Sequence, residues 1–172
     1  MINKKNYEGA LLALDTASRK TGYAVFKGGK IIASGTWVIK QKDYHKQLYR
    51  NISASVERWG ITQIVAEDIF KDSDQKKAHA YEVLCECKGV VKLCAQLACI
   101  GAFFIQPIEV KQQVYGYKRR FNYTRAQHKR AMINAVKRLG YKLQSDDADD
   151  EADAIGLIIA YLGRVYAITH PA

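Results

Sequence analysis

The stretch Ala10-Leu-Leu-Ala-Leu-Asp15-Thr-Ala-Ser-Arg-Lys-Thr-Gly22-Tyr-Ala-Val-Phe26 decides how the rest of the chain is read. Residues 10–15 form an apolar run that ends in an acid. Such a run makes a poor signal peptide and a good buried strand. Gly22 to Phe26 reads as a second strand and Lys30 to Ile39 as a third. Gly28-Gly29 between them is a two-residue hairpin signal.

Outward from this hairpin the chain alternates between helix and strand. Leu48, Ile52, Val56 and Trp59 recur at helical spacing over Tyr44 to Trp59, and Gly60 closes that helix. Gln63 to Glu67 is a short apolar strand, again ending in an acid. Ser73 to Cys99 reads as a long helix with Ala, Val, Leu and Cys on its buried side and Gly89 in the middle. Gly101 to Ile105 is a strand stopped at Pro107. A short helix follows over Ile108 to Val114, then a basic, aromatic loop over Gly116 to Tyr123. Thr124 is placed to cap a helix running to Leu139, with Gly140 after it. The last helix begins near Asp149 or Asp150 and runs to about Tyr166.

This order predicts an α/β fold with a five-stranded mixed sheet. Three antiparallel strands come first, then parallel strands joined by right-handed crossovers, with helices on both faces. There is no internal repeat, low-complexity segment or linker, so one domain over residues 1–172 is expected.

No run of 18 uncharged apolar residues exists, which excludes a membrane helix and favours a cytoplasmic protein. Cys85, Cys87, Cys94 and Cys99 fall in one helical stretch with no CxxC pair and no matching histidine. They are expected to be small buried residues rather than zinc ligands or disulfides. Lys plus Arg number 27 against 17 Asp plus Glu, a net charge of +10. Distribution says more than the total. From Lys111 to Ser145 there are ten basic residues and no acid, whereas Asp146 to Asp153 holds six acids in eight residues. Segregation of this kind suits a phosphate backbone laid across a basic platform beside metal-bound acids.

Asp15 and Glu67 each end an apolar strand, where open α/β sheets form their sites. Pairing of the first and fourth strands would make them neighbours. One acid so placed is ordinarily a solvated strand end or a cap. A third element changes that reading. Asp150 and Asp153 are three apart, on one face of the last helix, and Leu157 continues that face into the apolar stripe. Like charges at this spacing repel, and a helix amino terminus offsets only part of the cost. Asp147 with Asp150, and Asp146 with Asp149, have the same spacing, so Asp147 or Asp149 is an alternative to Asp150. Four carboxylates without Cys or His suit a hard ion such as Mg²⁺ or Mn²⁺. Two such ions about 3.5–4 Å apart clamp the attacking and leaving oxygens of a phosphoryl displacement.

These residues resemble the RuvC-type Holliday junction resolvases, which have the ribonuclease H-like fold. The likeness lies in LALDTASRKTGYAVF (12–26), IVAEDIF (64–70), CKGVVKLCAQ (87–96), EVKQQVYG (109–116) and DDEADAIGLIIA (149–160), in that order along nearly the whole chain. The resemblance implies that Asp15, Glu67, Asp150 and Asp153 are the metal-binding quartet, with two Mg²⁺ ions per site and Mn²⁺ able to substitute. It implies that Phe70 enters the junction centre and that Lys111 is the DNA-binding lysine beside the acids. Arg125 falls near a second family lysine, and Lys118 or Arg119 is an alternative for that part. Arg120 and Lys129 complete the expected DNA-binding set. Thr16-Ala17 stands where the family often has Pro-Gly, and the loop over residues 116–123 is unusually basic and aromatic. Both suggest a divergent branch of the kind a virus or mobile element carries.

The expected activity is metal-assisted hydrolysis of Holliday junctions by paired symmetric nicks, giving 5′-phosphate and 3′-hydroxyl ends, by a homodimer whose long helix forms the interface. The alternative is a broader nuclease for branched or flapped DNA or for RNA. A non-enzymatic binder would leave four repelling acids unexplained. A sugar-kinase or actin-type phosphotransferase needs a second domain that 172 residues do not supply.

Overall fold

The computed structural model describes residues 7–17, 19–39, 41–69, 78–118, 123–145 and 148–169. Strands β1 (Ala10–Asp15), β2 (Lys20–Lys27) and β3 (Lys30–Val38) come first. A 3₁₀ turn at Gln41–Asp43 leads into α1 (Tyr44–Trp59), then β4 (Gln63–Glu67), α2 (Ala78–Leu97) and β5 (Gly101–Ile105). Helices α3 (Pro107–Tyr115), α4 (Arg125–Arg138) and α5 (Asp149–Thr169) close the chain.

The strands form one sheet in the order β3-β2-β1-β4-β5. β1–β2 and β2–β3 are antiparallel; β1–β4 and β4–β5 are parallel. Side chains alternate between the two faces of a strand. Leu11 and Ala13 therefore join Ala24, Phe26 and Val65 in a core against Ile155 and Ile158 of α5. Leu12 and Leu14 join Val25 and Ile64 in a second core against Leu48 and Ile52 of α1 and Cys87 and Val91 of α2. Both faces of β1 are covered, which is why it is a continuous apolar run. Each fully buried Leu contributes about 1.5–3 kcal/mol through burial.

Local signals set the element ends. Gly60 adopts φ 62° and donates to the Val56 carbonyl, stopping α1. Thr124 and Gln127 form a reciprocal capping box at the start of α4: Gln127 N donates to Thr124 Oγ1 at 3.3 Å and Thr124 N to Gln127 Oε1 at 2.7 Å. Such a cap is worth about 1 kcal/mol.

Two expectations need correction. The long helix ends at Leu97, and Cys99 lies beyond it at φ 53°, turning the chain into β5. Its expected start at Ser73 lies outside the described residues. Of the four cysteines, Cys87 and Cys94 are buried, while Cys85 and Cys99 are exposed. Cys87 and Cys94 are seven apart and share the inward face; Cys85 and Cys99 fall off it. Among the described residues no helix is long and apolar enough to cross a membrane.

Helix α5 is seated on the sheet by two contacts. A Cβ placed on Gly22 would lie 1.8 Å from the carbonyl oxygen of Asp150. Only a residue without a side chain lets the first turn of α5 approach β2 this closely. Beside it, the buried Glu151 accepts from Ser34 Oγ of β3 at 2.6 Å and from Gln144 N at 2.9 Å. Gln144 Nε2 in turn donates to the Ser34 carbonyl at 2.7 Å.

Alanine in place of a strand glycine ordinarily stabilises. Here Gly22→Ala is expected to destabilise by about 2 kcal/mol, because the clash is with backbone. Urea unfolding at equal slope measures this, and an unchanged or raised midpoint would refute the close approach.

Candidate active site

Leu14 pairs with Ala66 in the parallel β1–β4 ladder. The next residues, Asp15 and Glu67, therefore end adjacent strands side by side. Both share strand parity with Leu11, Ala13 and Val65, so they face the side of the sheet on which α5 lies. The Gly22 contact holds the amino end of α5 over that point, because Gly22 is the β2 partner of Asp15. Asp150 and Asp153 project from the same turn.

These four acids line one open cavity of ≈ 550 Å³. Lys111 and Tyr115 of α3, and Arg125, His128, Lys129 and Met132 of α4, complete its wall, with Asp149 at the rim of α5. The expected acid quartet and Lys111 are thus brought together, and Arg125 and Lys129 join them. Lys118 is exposed and stands outside the wall. Phe70, Arg119 and Arg120 lie outside the described residues, as do Asp146 and Asp147.

The acids repel one another in a poorly hydrated place. Burial raises the Asp15 carboxyl well above the usual range, and the charges of Glu67, Asp153, Asp150 and Asp149 raise it further. Glu67 is held up to about 7 by burial and by Asp153, against the pull of Lys111. Asp153 is held up to about 6 by burial and by Asp149 and Asp150, opposed by Lys111 and Lys129. Burial and Asp149 also raise Asp150, opposed by Lys20, Lys129 and Arg125.

Asp149 behaves differently. Burial alone would raise it, but its ion pair with Lys129 and nearby backbone N–H groups outweigh burial and lower it. Of the neighbouring acids at the start of α5, Asp149 is ion-paired with Lys129 and lowered, whereas Asp150 and Asp153 are raised, and the charge of Asp149 contributes to raising both.

Tyr115 and His128 also line the cavity. The Tyr115 hydroxyl is 2.7 Å from His128 Nδ1, which ties α3 to α4 at the wall. Burial and the Asp153 charge raise the Tyr115 hydroxyl, while burial and Lys111 lower the His128 imidazole. A signal existed for both. Tyr115 is four after Lys111, and Arg125, His128, Lys129 and Met132 recur at helical spacing on one face of α4. Glu151 was a further omission, although it shares the helical stripe of Ala154, Ile155 and Ile158. Asp68 accepts hydrogen bonds from Lys88, from Gln106 Nε2 at 2.9 Å and from the Ile69 N–H at 2.8 Å. It braces the end of β4 beside Glu67.

A mixed sheet in this order, with acids at the ends of β1 and β4 and on a helix across them, is the framework of a ribonuclease H-like nuclease. The model of the family "Crossover junction endodeoxyribonuclease RuvC" matches residues 11–161. The chain belongs to the RuvC family of crossover junction endodeoxyribonucleases. It is 27% identical over 160 residues to the RuvC of Syntrophomonas wolfei, covering 88% of this chain and 87% of that one. It is 26% identical over 162 residues to the RuvC of Dictyoglomus thermophilum, covering 88% of this chain and 95% of that one. In fold it is similar to Thermus thermophilus RuvC in complex with a Holliday junction substrate, with a TM-score of 0.70, 15% identity and coverage of 94% and 97% of the two chains. It is also similar to the fowlpox virus resolvase in complex with Holliday junction DNA, with a TM-score of 0.57, 13% identity and coverage of 91% and 98%.

The family implies a divalent metal, and the donor set fits one in kind. All four acids offer hard carboxylate oxygens, and their raised proton affinities mark an excess of negative charge that a cation relieves. Among the described residues no three acid, histidine or cysteine side chains already enclose a common point.

The raised carboxyls make a pH prediction. Glu67 at about 7 and Asp153 at about 6 exceed their unfolded values near 4, so the metal-free folded chain binds protons that the unfolded chain has released. Their contribution to stability is fully present below the unfolded pKa values and is lost as pH rises through about 6–7. In a chelator the melting temperature should fall between about pH 5 and about pH 8, and millimolar Mg²⁺ should reverse most of that fall at the alkaline end. A chelator profile that is flat, or Mg²⁺ without effect there, contradicts the reading.

Proposed function

We propose that this chain resolves four-way DNA junctions by paired symmetric nicks made at the acid-lined cavity, leaving 5′-phosphate and 3′-hydroxyl ends. The observation that carries the proposal is the convergence of Asp15, Glu67, Asp150 and Asp153 from two strand ends and one helix in a member of this family. The curated relatives bear the name crossover junction endodeoxyribonuclease, and two of the similar folds are of proteins solved with Holliday junction DNA.

Asp15, Glu67, Asp150 and Asp153 would hold two Mg²⁺ ions, with Mn²⁺ able to substitute. When bound, such ions supply a water of lowered pKa and charge stabilisation for in-line displacement at phosphorus. The remaining chemistry belongs to the chain. Asp15 feels the charges of all three other acids, so it would be a ligand held at the middle of the donor set. Lys111 lies close enough to lower Glu67 and Asp153, so its ammonium would stabilise charge that develops on a phosphate held at the acids. Arg125 and Lys129 extend positive charge along α4, and Lys118 extends it along the adjoining loop. Phe70, Arg119 and Arg120 remain in the proposed DNA-binding set on the strength of the sequence. The pairing of Asp149 with Lys129 supports Asp150 as the ligand in preference to Asp149.

Two strands of a junction must be cut, which a two-fold dimer serves. Helix α2 supports that assembly, because Leu93 and Leu97 are exposed on it and nothing lies within 4 Å of a Cβ placed on Gly89. A broader nuclease acting on flaps or RNA–DNA hybrids is the alternative. A protein with this substrate works where DNA is, in the cytoplasm of its host.

Asp15→Asn should reduce Mg²⁺-dependent cutting of a fixed four-way junction by at least about two orders of magnitude, since several kcal/mol of charge stabilisation is removed. Binding to the same junction should persist. Undiminished cutting by this variant would falsify the assignment. Wild-type chain that nicks flaps or hybrids as fast as junctions, without paired symmetric cuts, would favour the alternative.

A further inference from the structure

Four aromatic rings meet at the edge of the acid cavity, two of them in its wall. Tyr115 ends α3, Tyr117 follows it, Tyr123 precedes the cap of α4, and His128 lies in the first turns of α4. Tyr117 and His128 have centroids 4.9 Å apart at 71°, and Tyr123 lies 5.8 Å from Tyr117 and 5.3 Å from His128. Tyr115 and Tyr123 are within 4° of parallel with centroids 6.5 Å apart, near the outer limit of aromatic pairing. Tyr115 also packs on the core beneath α5, whereas among the described residues Tyr117 and Tyr123 belong to neither core cluster. Tyr123 is 40% exposed.

Their surroundings indicate a ligand. Tyr115 and His128 line the acid cavity, so the cluster adjoins the place where a phosphate would be cut. Lys111, Lys118, Arg125 and Lys129 flank it, and the sequence from Lys111 to Ser145 has no acid. Aromatic faces beside cations, one nucleotide's reach from a phosphodiester site, match a nucleobase whose own phosphates lie on the lysines. A paired base presents only its edge to a protein, whereas a ring face can stack only on a base out of its helix.

We propose that Tyr117 and Tyr123, backed by the hydrogen-bonded Tyr115–His128 pair, form a stacking site for one unpaired nucleobase of the branched DNA, next to the scissile phosphate. This rests on the functional reading above and deepens it. The acids and Lys111 handle the phosphate, and the aromatic cluster selects a strand whose neighbouring base has left its stack. Selection works through a ring face that every base possesses, so it favours distorted DNA more than any one sequence.

The test uses the full chain and a fixed four-way junction carrying 2-aminopurine beside the cut site, in Ca²⁺ so that the DNA stays intact. Stacking on tyrosine should quench the wild-type complex. Tyr123→Leu, which keeps apolar bulk and removes the ring, should restore the fluorescence and weaken junction binding about tenfold. Tyr123→Phe should behave as wild type. In Mg²⁺, Tyr123→Leu should raise KM about tenfold while kcat changes less than about threefold. Circular dichroism checks that each variant is folded, and the same set at Tyr117 provides a second series should Tyr123→Leu fail to fold. Quenching that survives removal of either ring, or a Phe variant no better than Leu, overturns the stacking site. Wild-type cutting of the unlabelled junction is read separately, so a failure of the resolvase reading is distinguishable from a failure of the stacking site.

Discussion

The approach of the α5 backbone to Gly22 is the constraint on which the rest depends. Four acids can act together only if a helix amino end and two strand ends occupy the same few ångströms. Gly22 pairs with Asp15 across the sheet and simultaneously lies under the Asp150 carbonyl. One residue therefore fixes the first acid relative to the third and fourth. Glu151 secures the arrangement one residue further along the helix, because both its oxygens are held by β3 and by the segment before α5. A buried carboxylate that lost those partners would be costly, so the clasp and the helix position stand or fall together.

This seating opposes a force of the protein's own making. Burial and mutual repulsion raise Asp15, Glu67, Asp150 and Asp153 together, so the site weakens the fold whenever the acids are ionised. The stability that tolerates it comes from the two cores on either side of β1. Local conflict at a functional site, offset by consistent packing elsewhere, is what a chain selected for chemistry is expected to contain.

Much of this was legible because period and parity are local properties. ALLALD announced a strand covered on both faces, and the acids at its end and at the end of Gln63–Glu67 announced the site. Strand parity then turns Asp15 and Glu67 towards the same side. What was illegible depends on packing between distant segments. Nothing in the stretch SRKTGY (18–23) says that Gly22 sits under a helix backbone 128 residues later; that follows only once α5 is docked. Glu151 reads as one more surface acid in an acidic run until Ser34 and Gln144 are seen to meet it. The bond between Tyr115 and His128 likewise needs the packing of α3 on α4. Cys99 misled for another reason, because apolar composition continued past the point where the backbone turned.

The acidic run also shows how neighbouring like charges acquire different tasks. Asp149 and Asp150 are adjacent and chemically identical, yet one is lowered and the other raised. A helix turns about 100° per residue, so adjacent side chains face different neighbours. Asp149 pairs with Lys129 of α4, whereas Asp150 is raised by burial and by the charge of Asp149 itself. The same ion pair joins the acidic end of α5 to the basic face of α4. Lys129 lowers Asp150 and Asp153 as well as its own partner, so it moderates the repulsion among the acids. The charge segregation along the sequence therefore becomes, in three dimensions, a graded boundary: carboxylates inside, Lys129 paired at the border, and an acid-free basic stretch of sequence beyond it. A polyanion approaching that boundary meets cations first and acids last, which is the order in which a phosphate should be gripped and then cut.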